Sequence, residues 1–151
     1  MDIQLNNMKT IHAMLGPSGC GKSTYAEKLR QETQLNIVSP DAIRFEVHGN
    51  SSDQSNGDMI FKLAADRVRA NLGQFDGVII DSTSYNNRNR KWIFQLAADL
   101  GAIIKWHYFD TSLEECKYRQ QSRERIVPDW VIEKQFNGLT LPEQGEIIRV
   151  L

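Results

Sequence analysis

The stretch Gly16-Pro-Ser-Gly-Cys-Gly-Lys-Ser-Thr24 restricts what this chain can fold into more than any other. In the spacing Gly16-x4-Gly21-Lys22-Ser23 the glycines let the backbone curl so that its N–H groups converge on a phosphate. Lys22 then reaches the β- and γ-phosphates, and Ser23 is a ligand for Mg²⁺. Gly16, Ser18, Gly19, Cys20, Gly21, Lys22, Ser23 and Thr24 are therefore the candidate nucleotide-binding residues, for ATP or another NTP with Mg²⁺. The motif demands a strand before it and a helix after it. Thr10-Ile-His-Ala-Met-Leu15 alternates Ile11, Ala13 and Leu15, and Lys22 to Arg30 places Tyr25, Ala26 and Leu29 on one helical face. His12 reads as a structural residue of that strand.

Beyond the loop the chain alternates strand and helix signals. Met59, Ile60, Leu63, Ala64, Val68 and Leu72 recur at helical spacing, with Gly73 as the expected stop. Gly77 to Asp81 reads as a buried strand. Ile93, Leu96, Ala97 and Leu100 repeat the helical period before a second stop at Gly101, and Ala102 to Phe109 is a strand. A helix from Leu113 to about Arg123, a helix opened by Pro128 and a closing strand at Ile147 to Val150 complete the order. Such alternation predicts an α/β fold, a parallel sheet of about five strands with helices on both faces and ligands at the carboxyl ends of the strands. A length of 151 residues suits one domain, expected over 10–151 behind a flexible lead-in over 1–9. The two cysteines, Cys20 and Cys116, form neither a metal-ligand spacing nor a disulfide framework. With no signal peptide or transmembrane run, a cytoplasmic setting and no membrane partner are expected.

A net charge of −1 excludes a broadly basic nucleic-acid coat, because non-specific affinity comes mainly from neutralising backbone phosphates. Positive charge is instead local: Lys117, Arg119, Arg123 and Arg125 stand against Glu124 alone. Arg119 and Arg123 are four apart and share a helical side, where arginines around a γ-phosphate would act. Asp41 and Arg44 follow the apolar pair Ile37-Val38 and stand three apart, which puts a carboxylate at the same sheet edge as the phosphate loop. Asp81 ends the strand Val78-Ile-Ile, a usual place for a carboxylate that holds Mg²⁺ through water or orients substrate, with the hydroxyls of Ser82 and Thr83 beside it. Ser82 occupies the place where a motor ATPase carries a second acid to activate water. Transfer to an acceptor is expected rather than hydrolysis. The nearby thiol of Cys20, among loop N–H groups and Lys22, is expected to be acidified.

Taken together, GPSGCGKST, SPDAIR, IIDSTS and R-x3-R-x-R before Val127-Pro128 resemble the kinase domain of the 5′-hydroxyl polynucleotide kinases of phage and bacterial nucleic-acid repair. The resemblance runs from about Ile11 to the C-terminal strand and includes Asp53-Gln54-Ser55. It implies the P-loop kinase fold with an arginine-bearing lid. It implies that Asp41 takes the proton of the 5′-hydroxyl, that Arg44 binds a substrate phosphate, and that Arg119 and Arg123 clamp the donor phosphates as catalytic residues beside Lys22. Asp81 and Thr83 match the acceptor-contacting D-x-T-N segment, in which Ser84 replaces the usual Asn. The implied substrate is a 5′-hydroxyl end of DNA or RNA in a bacterium or phage-infected cell, with a separate ligase or phosphatase as partner. Two other classes fit parts of the pattern: a P-loop kinase of a sugar or nucleotide-sugar, and a non-catalytic nucleotide switch, which has no use for Asp41. Tyr85, Trp92, Trp106 and Trp130 read as packing residues.

Overall fold

Residues 8–51, 53–84, 86–121 and 127–150 are described by a computed structural model. The expected lead-in falls largely on residues 1–7, outside the described residues. Strand β1 (Thr10–Leu15) leads through the phosphate loop into α1 (Lys22–Thr33). The short β2 (Ile37–Val38) precedes α2 (Pro40–His48) and α3 (Gly57–Gln74). Then come β3 (Gly77–Ile80), α4 (Asn87–Leu100), β4 (Ile103–Phe109), α5 (Leu113–Gln120), α6 (Asp129–Asn137) and β5 (Glu146–Val150). The strands form one sheet in the order β2-β3-β1-β4-β5, and every pair is parallel.

The alternation along β1 explains the layers. Ile11, Ala13 and Leu15 face one way and join Ile43 of α2, Ile60, Ala64 and Val68 of α3, and Ile93 and Leu96 of α4. Met14 faces the other way, with Ala26 of α1, Cys116 of α5 and Ile132 of α6. Because successive side chains of a strand point to opposite faces, both faces are apolar and both are covered by helices. His12 lies on the α1 side. Its Nδ1 is 3.1 Å from Nε2 of His107 on β4, whose Nδ1 is 2.8 Å from the Tyr25 hydroxyl of α1. Burial pushes the His107 ring down to about 4 and lowers His12 as well, with Lys105 adding to both.

The helix starts follow ordinary capping chemistry. Ser39, Asn86 and Ser112 accept from the N–H groups of Ala42, Asn89 and Glu115, and Pro40 sits in the first turn of α2. Gly101 ends α4 in the left-handed conformation at φ 63°, as its position predicts. Gly73 does not act as a stop: α3 runs through it to Gln74 and ends at Phe75 in extended backbone at φ −125°. A glycine near a helix end costs little inside the helix when a residue further on, here Phe75, leaves it instead.

Candidate active site

The phosphate loop joins β1 to α1 at the carboxyl edge of the sheet. Two of its glycines are required by geometry. At Gly19, φ is +83° and an added Cβ would stand 2.4 Å from the Cys116 carbonyl oxygen; Gly21, at φ +96°, lies 3.2 Å by the same construction from Nη1 of Arg119. Lys22 is buried, and its Nζ donates to the carbonyls of Gly16 and Pro17, both at 2.8 Å. The loop is also tied from outside, since the backbone N–H of Ser18 donates to Oε1 of Gln135 on α6 at 2.8 Å. A backbone N–H can only donate, so the amide oxygen of Gln135 must face the loop.

Next to the loop lies a cavity of about 730 Å³, lined by Ser18, Gly19, Gly21, Lys22, Ser23, Thr24 and Arg119 on the loop side. Asp41, Phe45 and Glu46 of α2 line it from the β2 side, and Asp81 and Thr83 from the end of β3. A second cavity of about 320 Å³ includes Arg44, Gln54, Phe61, Trp92 and Gln135. Ser18, Asp41, Asp81, Ser82, Thr83 and Val127 line both. The structure thus brings Lys22, Ser23, Thr24, Asp41, Asp81, Thr83 and Arg119 to one edge and puts Arg44 in the adjoining space. Gly16 and Cys20 lie beneath the loop and do not line the cavity; the Cys20 thiol belongs to the core around Met14 and Phe109.

The Ser23 hydroxyl donates to Oδ2 of Asp81 at 2.8 Å. This pairing of a loop hydroxyl with a strand-end carboxylate is an oxygen set of the kind that Mg²⁺ takes with phosphates and waters. Arg44 is buried; its Nη1 donates to Oδ1 of Asp41 at 2.6 Å and its guanidinium lies 5.5 Å over the Phe61 ring. The Nε of Arg44 and the indole N–H of Trp92 are buried and have no hydrogen-bond partner among the described residues. Arg119 donates to the Cys20 carbonyl at 3.0 Å and pairs through Nε with Glu115 at 2.9 Å. Arg123, proposed beside it, lies outside the described residues.

Burial raises the Cys20 thiol above its ordinary value, and the nearby Lys22 charge offsets only part of that. The expectation of an acidified Cys20 is therefore corrected: desolvation of a core thiol outweighs the loop's positive field. Cys116 is likewise pushed up to about 11, first by burial.

Sequence reasoning did not pick out Gln135, Arg90 or Phe45. Arg90 of α4 is fully buried and donates to the carbonyl of Ser84 at 2.7 Å, as well as to Asn87 and Thr140. Burial brings its guanidinium down to about 10. It secures Ser84, which holds a positive φ of 48°. Asn enters that backbone region more readily than Ser. Among the aromatics read as packing, Trp106 is fully buried, Trp92 is partly buried and packs edge-on to Phe61, and Trp130 is exposed. Tyr85 is outside the described residues. No helix among the described residues is long and apolar enough to cross a membrane.

Comparison with known proteins agrees with this fold. The sequence family described as AAA domain matches residues 11–142. No curated protein matches the chain. A chain in the structure of the Pnkp1/Rnl/Hen1 RNA repair complex is similar at a TM-score of 0.78 and 25% identity, over 88% of this chain and 44% of that one. The present chain thus spans less than half the length of that relative. A sugar kinase from Janibacter sp. is similar at 0.67 and 20% identity, over 95% of this chain and 84% of that one. The APS kinase CysC of Mycobacterium tuberculosis, solved with AMPPNP and APS, is similar at 0.63 and 18% identity, over 95% and 86%. At those identities the last two share the fold. The chain belongs to the AAA-domain family and has the α/β fold of a P-loop kinase.

Proposed function

We propose that this protein transfers the γ-phosphate of ATP to the 5′-hydroxyl of a DNA or RNA end. The observation that carries the reading is that Asp41 lines both cavities, with the phosphate loop on one side and buried Arg44 on the other. A base for an acceptor hydroxyl must stand within hydrogen-bond reach of that oxygen while the donor phosphate waits in line. The 25% likeness to a chain of an RNA repair complex supports a polynucleotide acceptor, as does D-x-x-R at Asp41 to Arg44.

In this reading Asp41 accepts the proton of the 5′-hydroxyl as its oxygen bonds to the γ-phosphorus. The bond from that phosphorus to the β,γ-bridging oxygen breaks, and ADP departs with the electron pair. Arg44 orients Asp41 through one nitrogen and offers its remaining N–H groups to a phosphate of the acceptor strand. Lys22 and Arg119, with Arg123, surround the transferred group with positive charge, the last two as a lid. Ser23, backed by Asp81, would hold Mg²⁺, which when bound would neutralise charge on the β- and γ-phosphates. Asp81 and Thr83 contact the acceptor, and a separate ligase or phosphatase acts on the same ends.

A second reading, a kinase of a small molecule, draws on the sugar and APS kinases that share the fold over 95% of this chain. Offering labelled ATP with a 5′-hydroxyl oligonucleotide and with a panel of sugars separates the two. Label is expected on the oligonucleotide, and Asp41→Asn should lower that rate by about 10² to 10⁴ while ATP·Mg²⁺ still binds. Label on sugars alone would refute the substrate, and a normal rate in Asp41→Asn would refute the base.

A further inference from the structure

The helix that carries Asp41 turns a second feature toward the same cavity. On α2, Ile43 is fully buried and Arg44 enters the smaller space, whereas Asp41, Ala42, Phe45 and Glu46 line the larger one. Phe45 stands one helical turn beyond Asp41, so the two side chains are neighbours on one face, about 5–6 Å apart at their Cβ atoms. Phe45 is 62% exposed. Ala42, Glu46, Ser51 and Val127 line the cavity with it.

Sheet order says which ligand such a ring would meet. The phosphate loop follows β1, Arg119 follows β4 on one side of it, and α2 follows β2 on the other side, beyond β3. Arg119, the arginine that would meet the donor phosphates, lies toward β4. Phe45 lies on the far side, with Asp41.

We propose that Phe45 is a stacking platform for the terminal nucleobase of the acceptor. This rests on the reading of Asp41 as the base for a 5′-hydroxyl. A nucleoside with its 5′-hydroxyl at Asp41 extends its ribose and base along the helix, and the face of a phenyl ring one turn away is the complementary surface. Stacking needs no hydrogen-bond code, because every base has a π-face, so a platform of this kind accepts ends of any sequence. It also supplies affinity that a chain of net charge −1 does not obtain from a broad phosphate-binding surface.

The test compares two acceptors: an oligonucleotide with an ordinary 5′-terminal nucleotide, and the same oligonucleotide with an abasic 5′-terminal residue that keeps its hydroxyl. Transfer rates over a range of acceptor concentrations yield KM for each in the wild type, Phe45→Ala and Phe45→Trp. In the wild type the abasic acceptor should have the higher KM. In Phe45→Ala the ratio of the two KM values should collapse by about 5- to 150-fold, the span of base–aromatic stacking. Phe45→Trp should restore it. A ratio that stays at the wild-type value in Phe45→Ala, whatever the absolute rate, overturns the platform and leaves the substrate reading standing. A wild type that binds ATP and labels neither oligonucleotide overturns the substrate reading, and the platform with it.

Discussion

The hydroxyl of Ser23 donates to the carboxylate of Asp81 across 2.8 Å, although the two residues are 58 positions apart. The contact links the start of α1 to the end of β3, which pairs directly with β1. In the proposed function Asp81 thus orients the hydroxyl that would hold Mg²⁺. Asp81→Asn should raise the Mg²⁺ concentration needed for half-maximal nucleotide binding by about 10- to 100-fold, the usual effect of losing a group that orients a metal ligand. Calorimetric titration of ATP at several Mg²⁺ concentrations measures this; an unshifted Mg²⁺ dependence would refute the orienting role of Asp81 at the metal.

Arg119 should matter for rate and hardly at all for folding. Its side chain and that of Glu115 are both about half exposed, so their ion pair contributes little to stability. Arg119→Ala is expected to slow phosphoryl transfer by about 10³- to 10⁵-fold with at most a small fall in melting temperature, from the lost bond to the Cys20 carbonyl. Single-turnover transfer beside a thermal melt checks both, and a rate within a few-fold of wild type would return Arg119 to an ordinary surface role.

The pair His12 and His107 predicts a loss of stability in mild acid. In the fold His107 is held down to about 4 against an ordinary 6.5, mainly by burial. Between those values the unfolded chain takes up a proton that the folded chain refuses, so stability falls as pH falls through that window. At the bottom of the window the loss for His107 is about 3 kcal/mol, and the lowering of His12 acts in the same direction. Urea midpoints measured from about pH 7 down to about pH 4.5 should decline in the wild type and decline less in His107→Gln. Parallel slopes in the two proteins would assign the acid sensitivity to other groups.

Both cysteines should be slow to react in the native protein. They are free and buried, and burial raises the pKa of each. Because the thiolate is the nucleophile, iodoacetamide at neutral pH should modify native Cys20 at least about 10-fold more slowly than an exposed thiol, and rapidly once urea unfolds the chain. Fast native labelling that Cys20→Ser abolishes would mean that the loop opens to expose the thiol.

The phosphate loop, the strand before it and the helix after it were legible in the residues because that motif is local: its glycines and Lys22 act within a few positions of one another. The same holds for the strand and helix order, which follows from apolar periodicity, and for Asp41 and Arg44, whose spacing on a helix suffices to pair them. What depends on distant packing was not legible. Gly73 looks like a helix stop, yet the residue that leaves α3 is Phe75. Cys20 sits in a positive loop by sequence, but its thiol faces a core built from β4 and α5, and desolvation there outweighs the charge. Gln135 reaches the Ser18 N–H from 117 positions away, and Ser23 finds Asp81 only because β1 and β3 are neighbours. Phe45 carries no motif at all. Its meaning comes from being left in a cavity beside Asp41 when Ile43 and Arg44, its neighbours on the same helix, are buried. Local chemistry is written in spacing, whereas exposure, pKa and the meeting of remote side chains are set by which surfaces the whole chain removes from water.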